Sequence, residues 1–259
     1  MEKSHTLLGV RFDAVTRYEA LERMRALVEK ARQENSPASS VVTVNVQILV
    51  NARHRFPQLM PIINSSPLVV ADGAPLVFLS RIFRPRLPER VAGSDLIYDI
   101  AVLSAKNGYR IYFFGGEEAS VLEAIELLKK MNPALIVAGH SSPFIDLNPN
   151  AAGMEKEAEI CRQIKEAQTD ILLVGLGNPK QELFVHRNAE RLSGMVSIGL
   201  GGTFNFLSGR VRRAPRWVQR LGMEWIYRII QEPRRLFFRY FIDGFFLIAY
   251  VFMEPFRRL

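Results

Sequence analysis

Continuous apolar runs alternate with helical stretches through the middle of the chain, and this alternation constrains the fold most. Runs rich in β-branched and aromatic residues lie at 110–114, 135–138, 170–174 and 195–200. The segments between these runs carry apolar residues at helical spacing. Strands that are apolar on both faces and separated by helices are typical of a parallel sheet covered on both sides. The sequence therefore predicts an α/β fold with a Rossmann-like parallel sheet flanked by helices.

The N-terminal part of the chain fits the same pattern. Thr16 and Glu19 form a capping box that predicts the start of a helix. Residues 41–46 and 68–70 are β-rich and predict two further strands. We therefore predict one Rossmann-like domain over residues 1–209.

Residues 210–259 have a different composition. They hold 11 arginines, no lysine and four acidic residues, whereas the rest of the chain is nearly balanced in charge. Residues 216–228 and 233–252 have a helical pattern, so we predict a C-terminal helical appendage. An arginine-rich, aromatic segment favours binding of phosphate groups, of an anionic membrane or of nucleic acid.

An apolar stretch at 236–253 bears on membrane association. It contains Arg239 and Asp243, and it is shorter than the roughly 20 apolar residues that a membrane span requires. We therefore predict a helix that lies in the membrane interface. A core helix, a helix at an oligomer interface and a tilted span remain alternatives, and a homo-oligomer is possible.

Two further features concern compartment and redox chemistry. The first 11 residues lack a signal-peptide pattern, so we expect the protein at the cytoplasmic face of the membrane. Cys161 is the single cysteine, which excludes an internal disulfide and cysteine-based zinc sites. Its place in a helical pattern predicts a buried side chain.

Polar residues and glycines stand where predicted strands end, which is where open α/β sheets bind ligands. Thr43 and Asn45 are predicted on one face of a strand, and Asp72 follows the next strand. The turns at 175–182 and 199–205 are glycine-rich and could admit a phosphate group. Structural explanations stay open: Thr43 and Asn45 could bond nearby backbone, Asp72 could cap a helix, and 175–182 could be an ordinary connection.

Two rival functions follow from the same features. The 175–182 turn is neither a Walker A loop nor a G-x-G-x-x-G motif, and the first strand of the sheet ends in Thr-Val-Asn. Both points disfavour a Rossmann-like oxidoreductase or nucleotide-sugar epimerase. A nucleic-acid-binding protein would use the arginine-rich tail and show salt-dependent binding, but it would give Asp72 no role.

Several motifs, taken in order, resemble the WecG/TagA/CpsF glycosyltransferases from about residue 6 to about residue 240. The matching stretches are Thr43-Val44-Asn45, Ala71-Asp72-Gly73, Pro88 to Asp95, Gly175 to Glu182, Gly201 to Phe206, Arg213-Ala214-Pro215, Trp217, Gly222, Glu224-Trp225, Tyr227-Arg228, Glu232-Pro233 and Arg235. The sequence departs from the usual family pattern at Ala71, where many members have Asn, and at Asn205, where many have Asp. The second difference puts the identity of the donor sugar in doubt.

The resemblance implies an inverting transferase for cell-surface polysaccharides such as teichoic acid linkers and capsule. Its donor would be UDP-N-acetylmannosamine or a relative, and its acceptor N-acetylglucosamine linked to undecaprenyl diphosphate. Asp72 would be the catalytic base, with Thr43 and Asn45 beside it. The expected substrate-binding residues are Gln181, Arg90, Gly177, Lys180, Gly201, Gly202, Asn205, Arg228 and Arg235.

The departing diphosphate needs positive charge, from either a metal ion or fixed cations. The chain has no Asp-x-Asp motif, and its four histidines are scattered. Arginine binds phosphate in a bidentate manner, so Arg228 and Arg235 are the expected substitutes for a metal. We therefore predict a metal-independent enzyme without a cofactor, with no nucleic acid as partner.

Overall fold

A computed structural model describes residues 4–83, 86–220 and 222–257. Its centre is a six-stranded, fully parallel sheet in the order β4-β3-β8-β7-β5-β6. The strands of this sheet are β3 (Ser39–Val44), β4 (Leu68–Ala71), β5 (Arg110–Phe114), β6 (Ile136–Ser141), β7 (Ile171–Val174) and β8 (Val196–Gly199). The predicted Rossmann-like α/β fold is thereby confirmed.

A short antiparallel hairpin precedes this sheet and was not predicted. Its strands are β1 (Ser4–Leu7) and β2 (Val10–Asp13). The buried Asp13 carboxylate accepts the backbone N–H of Val69 at 2.8 Å and so fastens the hairpin to β4. The two hairpin strands are not continuous apolar runs, and an alternation over four residues is too short to be recognised in a sequence.

Helices cover both faces of the sheet. The predicted capping box is present, since Thr16 and Glu19 exchange hydrogen bonds at the start of the first helix. A π-helical turn, Asn51–Arg55, continues the second helix. The helices are α1 (Arg17–Glu34), α2 (Val46–Val50), α3 (Leu59–Ser65), α4 (Ala74–Phe83), α5 (Gly93–Asn107), α6 (Glu118–Met131), α7 (Ala151–Glu166), α8 (Lys180–Arg187) and α9 (Thr203–Leu207).

Alternate residues of each strand face opposite sides of the sheet, as strand geometry requires. Val41 packs against α1 and α5 on one face, whereas Val42 packs with α2, α3 and the hairpin on the other. Leu172 belongs to a third cluster with α7 and α8, which also contains the buried Cys161. The predicted burial of Cys161 is confirmed, and this burial raises the pKa of its thiol to about 12.

The segment after residue 209 forms three helices, α10 (Arg216–Arg220), α11 (Glu224–Gln231) and α12 (Pro233–Arg257). The single helix predicted over 216–228 is thus divided, because the chain turns at Gly222, whose φ is +71°. One face of α12 packs on α2 and the π-helical turn, where Arg55 pairs with the buried Asp243 at 2.8 Å. The predicted division into domains at residue 209 stays a prediction.

Candidate active site

Asp72 lies at the carboxyl edge of the sheet, directly after β4. Its backbone N–H donates to Val44 O at 2.8 Å, so the residue sits beside the end of β3. The N–H of Val91 donates to Ala71 O at 2.9 Å and brings the segment before α5 alongside. Two strand ends and the start of α5 therefore surround the Asp72 side chain.

The Asp72 carboxyl is only partly exposed, and it accepts the backbone N–H of Gly93. Burial raises its pKa from the ordinary 3.8 to about 7. The positive charge of Arg90 and the Gly93 N–H oppose this rise, while Glu224 and Asp95 add to it. A carboxylate with a pKa near neutral pH is suited to take up a proton during a reaction.

Thr43 and Asn45 both lie beside Asp72, but their side chains do not share a strand face as predicted. Strand β3 ends at Val44, and Asn45 is the N-cap of α2, where its Oδ1 accepts the Ile48 N–H at 3.0 Å. The Thr43 hydroxyl donates to Gly199 O at 2.9 Å. Asn45 thus lies just past the strand and not in it, and both side chains bond neighbouring backbone, which is the structural alternative that the sequence left open.

Gln181 links the two glycine turns that follow β7 and β8. Its Oε1 accepts the Gly201 N–H at 3.1 Å, and its own N–H donates to Gly177 O at 3.0 Å. A Cβ at Gly177, Gly201 or Gly202 would meet no atom of the described chain within 4 Å. The turns therefore border open space, into which a ligand fits without displacing protein atoms.

Gly93 lies close to both the turn after β8 and Asp72. A Cβ at Gly93 would lie 3.2 Å from Leu200 and 3.5 Å from the Thr43 hydroxyl. Since the Gly93 N–H also binds the Asp72 carboxylate, the start of α5 lies between that carboxylate and the turn after β8. Close approach of the backbone explains the need for glycine at this helix start.

A chain of polar contacts extends from Gln181 to helix α12. The Gln181 amide donates to Glu182 at 2.8 Å, and Asn178 donates to the same carboxylate at 2.9 Å. Asn51 donates to Asn178 and accepts from Arg55 at 2.9 Å, and Arg55 in turn pairs with Asp243. The chain thus connects the turn after β7 to helix α12.

Arg90 takes part in an ion-pair ring of four side chains, Arg90, Asp95, Arg213 and Glu224. Its Nη1 contacts Glu224 at 2.7 Å, and its Nη2 contacts Asp95 at 3.1 Å. Arg213 lies 2.6 Å from Asp95 and 3.6 Å from Glu224, which closes the ring. Arg213 and Glu224 come from the segment after residue 209, so the ring holds that segment at the site.

Comparison with known proteins identifies the family of the chain. The profile of the glycosyl transferase WecG/TagA/CpsF family matches residues 5–259. The chain belongs to this family of glycosyltransferases.

Its relatives include a Bacillus subtilis (strain 168) protein that is 31% identical over 208 residues, which are 80% of this chain and 77% of the relative. A Staphylococcus aureus (strain MW2) protein is 27% identical over 239 residues, 91% of this chain and 89% of the relative. Both are named N-acetylglucosaminyldiphosphoundecaprenol N-acetyl-beta-D-mannosaminyltransferase. Membership makes the chain an enzyme and sets aside the oxidoreductase and epimerase alternatives.

Two substrate-binding residues expected of this glycosyltransferase have contacts within the protein. The Lys180 ammonium donates to Ile145 O at 2.7 Å and lies 4.4 Å from the centre of the Phe144 ring. Asn205 lies in α9, and its backbone carbonyl accepts the N–H of Val211 at 3.0 Å. Their binding roles stay predictions.

The appendage brings Arg228 to helix α9. Its guanidinium lies 5.0 Å from the centre of the Phe206 ring, and its buried Nε makes no hydrogen bond to the described part of the chain. An arginine N–H buried without an acceptor is costly unless a ligand binds it. The Arg235 backbone lies in α12, but its side chain lies outside the described residues.

One structural observation bears on the predicted metal independence. Within residues 4–83, 86–220 and 222–257, no group of three or more His, Cys, Asp or Glu side chains is arranged to hold a metal ion. Metal independence itself stays a prediction.

Sequence reasoning missed several residues of the site. Glu224, Arg213 and Asp95 were only parts of family motifs, and Asn51 and Asp243 were not singled out. The family motif around Glu224 was the available signal for the ring. No local pattern relates Asn51 to Asp243, because their contact partners are distant in sequence.

Proposed function

We propose that this glycosyltransferase moves an N-acetylmannosamine-type sugar from a UDP donor to N-acetylglucosamine on undecaprenyl diphosphate. The names of the Bacillus and Staphylococcus relatives support this sugar and this acceptor. The observation that carries the proposal is the partly exposed Asp72 carboxyl at the carboxyl edge of the sheet, whose pKa is raised to about 7 and which accepts the N–H of Gly93. The product would be an intermediate of cell-envelope polysaccharide synthesis.

The reaction is a single displacement with inversion. A hydroxyl oxygen of the acceptor sugar attacks the anomeric carbon of the donor, and Asp72 takes the hydroxyl proton. The bond from the anomeric carbon to the diphosphate oxygen breaks, and its electron pair leaves with UDP. One carboxylate suffices as base, and a pKa of about 7 keeps it partly ionised at neutral pH.

Positive charge at the diphosphate would come from the appendage. The unpartnered Nε of Arg228 supports this role, since guanidinium binds phosphate oxygens strongly. Arg235 is the second proposed phosphate ligand. Gln181 would hold the donor through the turns that it bridges, and no metal ion would be required.

The proposal includes binding to the cytoplasmic face of the membrane. Segment Leu236–Met253 of α12 is long and apolar enough to cross a bilayer by length and composition, and 22% of it is buried in the protein. Its exposed large apolar side chains fall within a sector of about 160° on the helix; they are Phe237, Phe238, Phe241, Ile242, Phe245, Ile248, Phe252 and Met253. The opposite face packs on the enzyme through Asp243 and Leu247. A helix occupied on one side is suited to lie in the interface rather than to span it.

A transfer assay tests the catalytic proposal. Purified full-length protein receives UDP-N-acetylmannosamine and an N-acetylglucosamine acceptor on a short prenyl diphosphate, with and without EDTA, and UDP release is measured. We expect transfer that EDTA leaves unchanged and that Asp72→Asn lowers by about 10³-fold, the scale of a general base. Full activity of Asp72→Asn, or loss of activity in EDTA, would contradict the corresponding part of the proposal.

A vesicle assay tests the membrane proposal. Replacing Phe241 and Phe245 by Ser removes exposed rings from α12, so we expect weaker co-sedimentation with phosphatidylglycerol vesicles. Tyr18→Ser is the matched control, because Tyr18 is 72% exposed on α1, away from α12. Equal sedimentation of both variants with wild type would argue against binding through this face.

A further inference from the structure

The ion-pair ring gives Arg90 two competing sets of partners. Within the ring its two Nη atoms contact Glu224 and Asp95. Its charge also lies near enough to Asp72 to lower the pKa of that carboxyl. The side chains of Arg90, Asp95 and Glu224 are 15% to 23% exposed, so water screens these interactions weakly.

Glu224 is the acidic member of the ring that lies in the segment after residue 209. It forms the shorter of the two Arg90 contacts, and it lies on α11. The Asp72 carboxylate itself accepts a hydrogen bond from the Gly93 N–H. Three charged side chains therefore face Asp72: Arg90 from the segment before α5, Asp95 from α5 and Glu224 from α11, with Arg213 behind them.

We propose that Glu224 is a positioning residue that holds Arg90 away from Asp72, so that docking of α11 sets the strength of the catalytic base. The inference rests on the proposed function, because it takes Asp72 as that base. When α11 is displaced, Arg90 loses its Nη1 partner and can pair with the Asp72 carboxylate. A carboxylate paired with guanidinium holds a proton less well and is a weaker base.

The direction of the pH effect follows from the charges. Removing the negative charge of Glu224 takes away one group that raises the pKa of Asp72, and it frees Arg90, which lowers that pKa. The acidic limb of the rate profile, which reports ionisation of the base, should therefore move to lower pH. The plateau rate should fall as well, because proton transfer becomes less favourable.

The test is a pH profile of the full-length Glu224→Gln variant in the UDP-release assay. We expect kcat to fall on the order of tenfold and the acidic midpoint of kcat to fall by about one pH unit, with the donor KM little changed. Glu157→Gln is the matched control, since Glu157 is a buried acid paired with Arg187 at 2.6 Å on the opposite side of the sheet. It should leave the midpoint unchanged.

Two further variants separate charge from structure. Glu224→Asp keeps the negative charge and should keep the wild-type midpoint. Arg90→Gln added to Glu224→Gln removes the competing cation, so the midpoint should return towards or above the wild-type value. A midpoint in Glu224→Gln equal to wild type, or one shifted equally by Glu224→Asp, would overturn the inference.

The failure of this inference can be told from failure of the proposed function. If Asp72→Asn is inactive and Glu224→Gln keeps the wild-type midpoint, only the positioning role of Glu224 is wrong. If Asp72→Asn retains full activity, the assignment of Asp72 as base is wrong, and the inference falls with it.

Discussion

Two aspartates have opposite surroundings at the two ends of the strands in the parallel sheet, its amino edge and its carboxyl edge. At the amino edge, directly before β7, Asp170 is 7% exposed, and both of its oxygens are occupied. Arg32 donates to them at 2.7 and 3.1 Å, and the Arg110 N–H donates at 2.7 Å. At the carboxyl edge, Asp72 is held by the Gly93 N–H, while the nearby Arg90 is engaged with other acids.

This difference separates a structural carboxylate from a reactive one. Asp170 gains donors from two elements, and its negative charge is matched in place. Asp72 is desolvated without a full set of donors, which leaves its pKa at about 7 and its oxygens able to accept a proton. The carboxyl edge is also where parallel sheets leave room for ligands.

The largest expected difference between the two residues is in turnover. Asp170→Asn should keep kcat within about twofold of wild type per folded molecule, whereas Asp72→Asn loses about 10³-fold. UDP release under identical conditions measures both. A comparable loss in Asp170→Asn would mean that the two edges are not functionally distinct.

A smaller effect is expected on the stability of the protein when Asp170 at the amino edge is replaced. Asp170→Asn removes the partner of Arg32, so the free energy of unfolding should fall by about 2–4 kcal/mol. Urea denaturation followed by circular dichroism measures this. Wild-type stability in the variant would show that the pair contributes nothing net.

The smallest expected effect is an increase in the free energy of unfolding, and it results from replacing Asp72. Its folded-state pKa lies above the unfolded 3.8, so ionisation weakens the folded protein progressively as pH rises from about 4 through about 7. Asp72→Asn removes this cost and should raise the free energy of unfolding by about 1–3 kcal/mol at pH 8. The gain should be less than half as large at pH 5. A gain that is independent of pH would contradict the raised pKa.

Much of this architecture could be predicted from the chain alone. The apolar runs at 110–114 and 170–174 became β5 and β7, since strands buried on both faces require apolar residues throughout. Helix α5 went unpredicted, although its C-cap Gly108 is a usual stop signal. The predicted strand over 41–46 extends two residues past the observed end of β3 at Val44. Asn45 was therefore placed in the strand, although it caps α2.

The tail shows why the candidate site was less predictable than the fold. Its composition indicated a helical, arginine-rich segment, and the structure has three helices there. Composition does not say which arginine meets a phosphate and which meets an acid. Arg213 lies in the ring with Asp95, while Arg228 lies over Phe206 with its Nε unpartnered. These pairings join residues more than 20 positions apart.

The sequence by itself determined the parallel sheet, the family and the prominence of Asp72. Buried strands and family motifs both consist of consecutive residues, so each can be recognised from a short stretch of sequence. Only the tertiary structure decided what surrounds that carboxylate. The Arg90–Glu224 contact joins residues 134 positions apart, and the Asn51–Asn178 contact joins residues 127 apart. Electrostatic fields depend on distances in space, and these are fixed only when the sheet and the appendage come together.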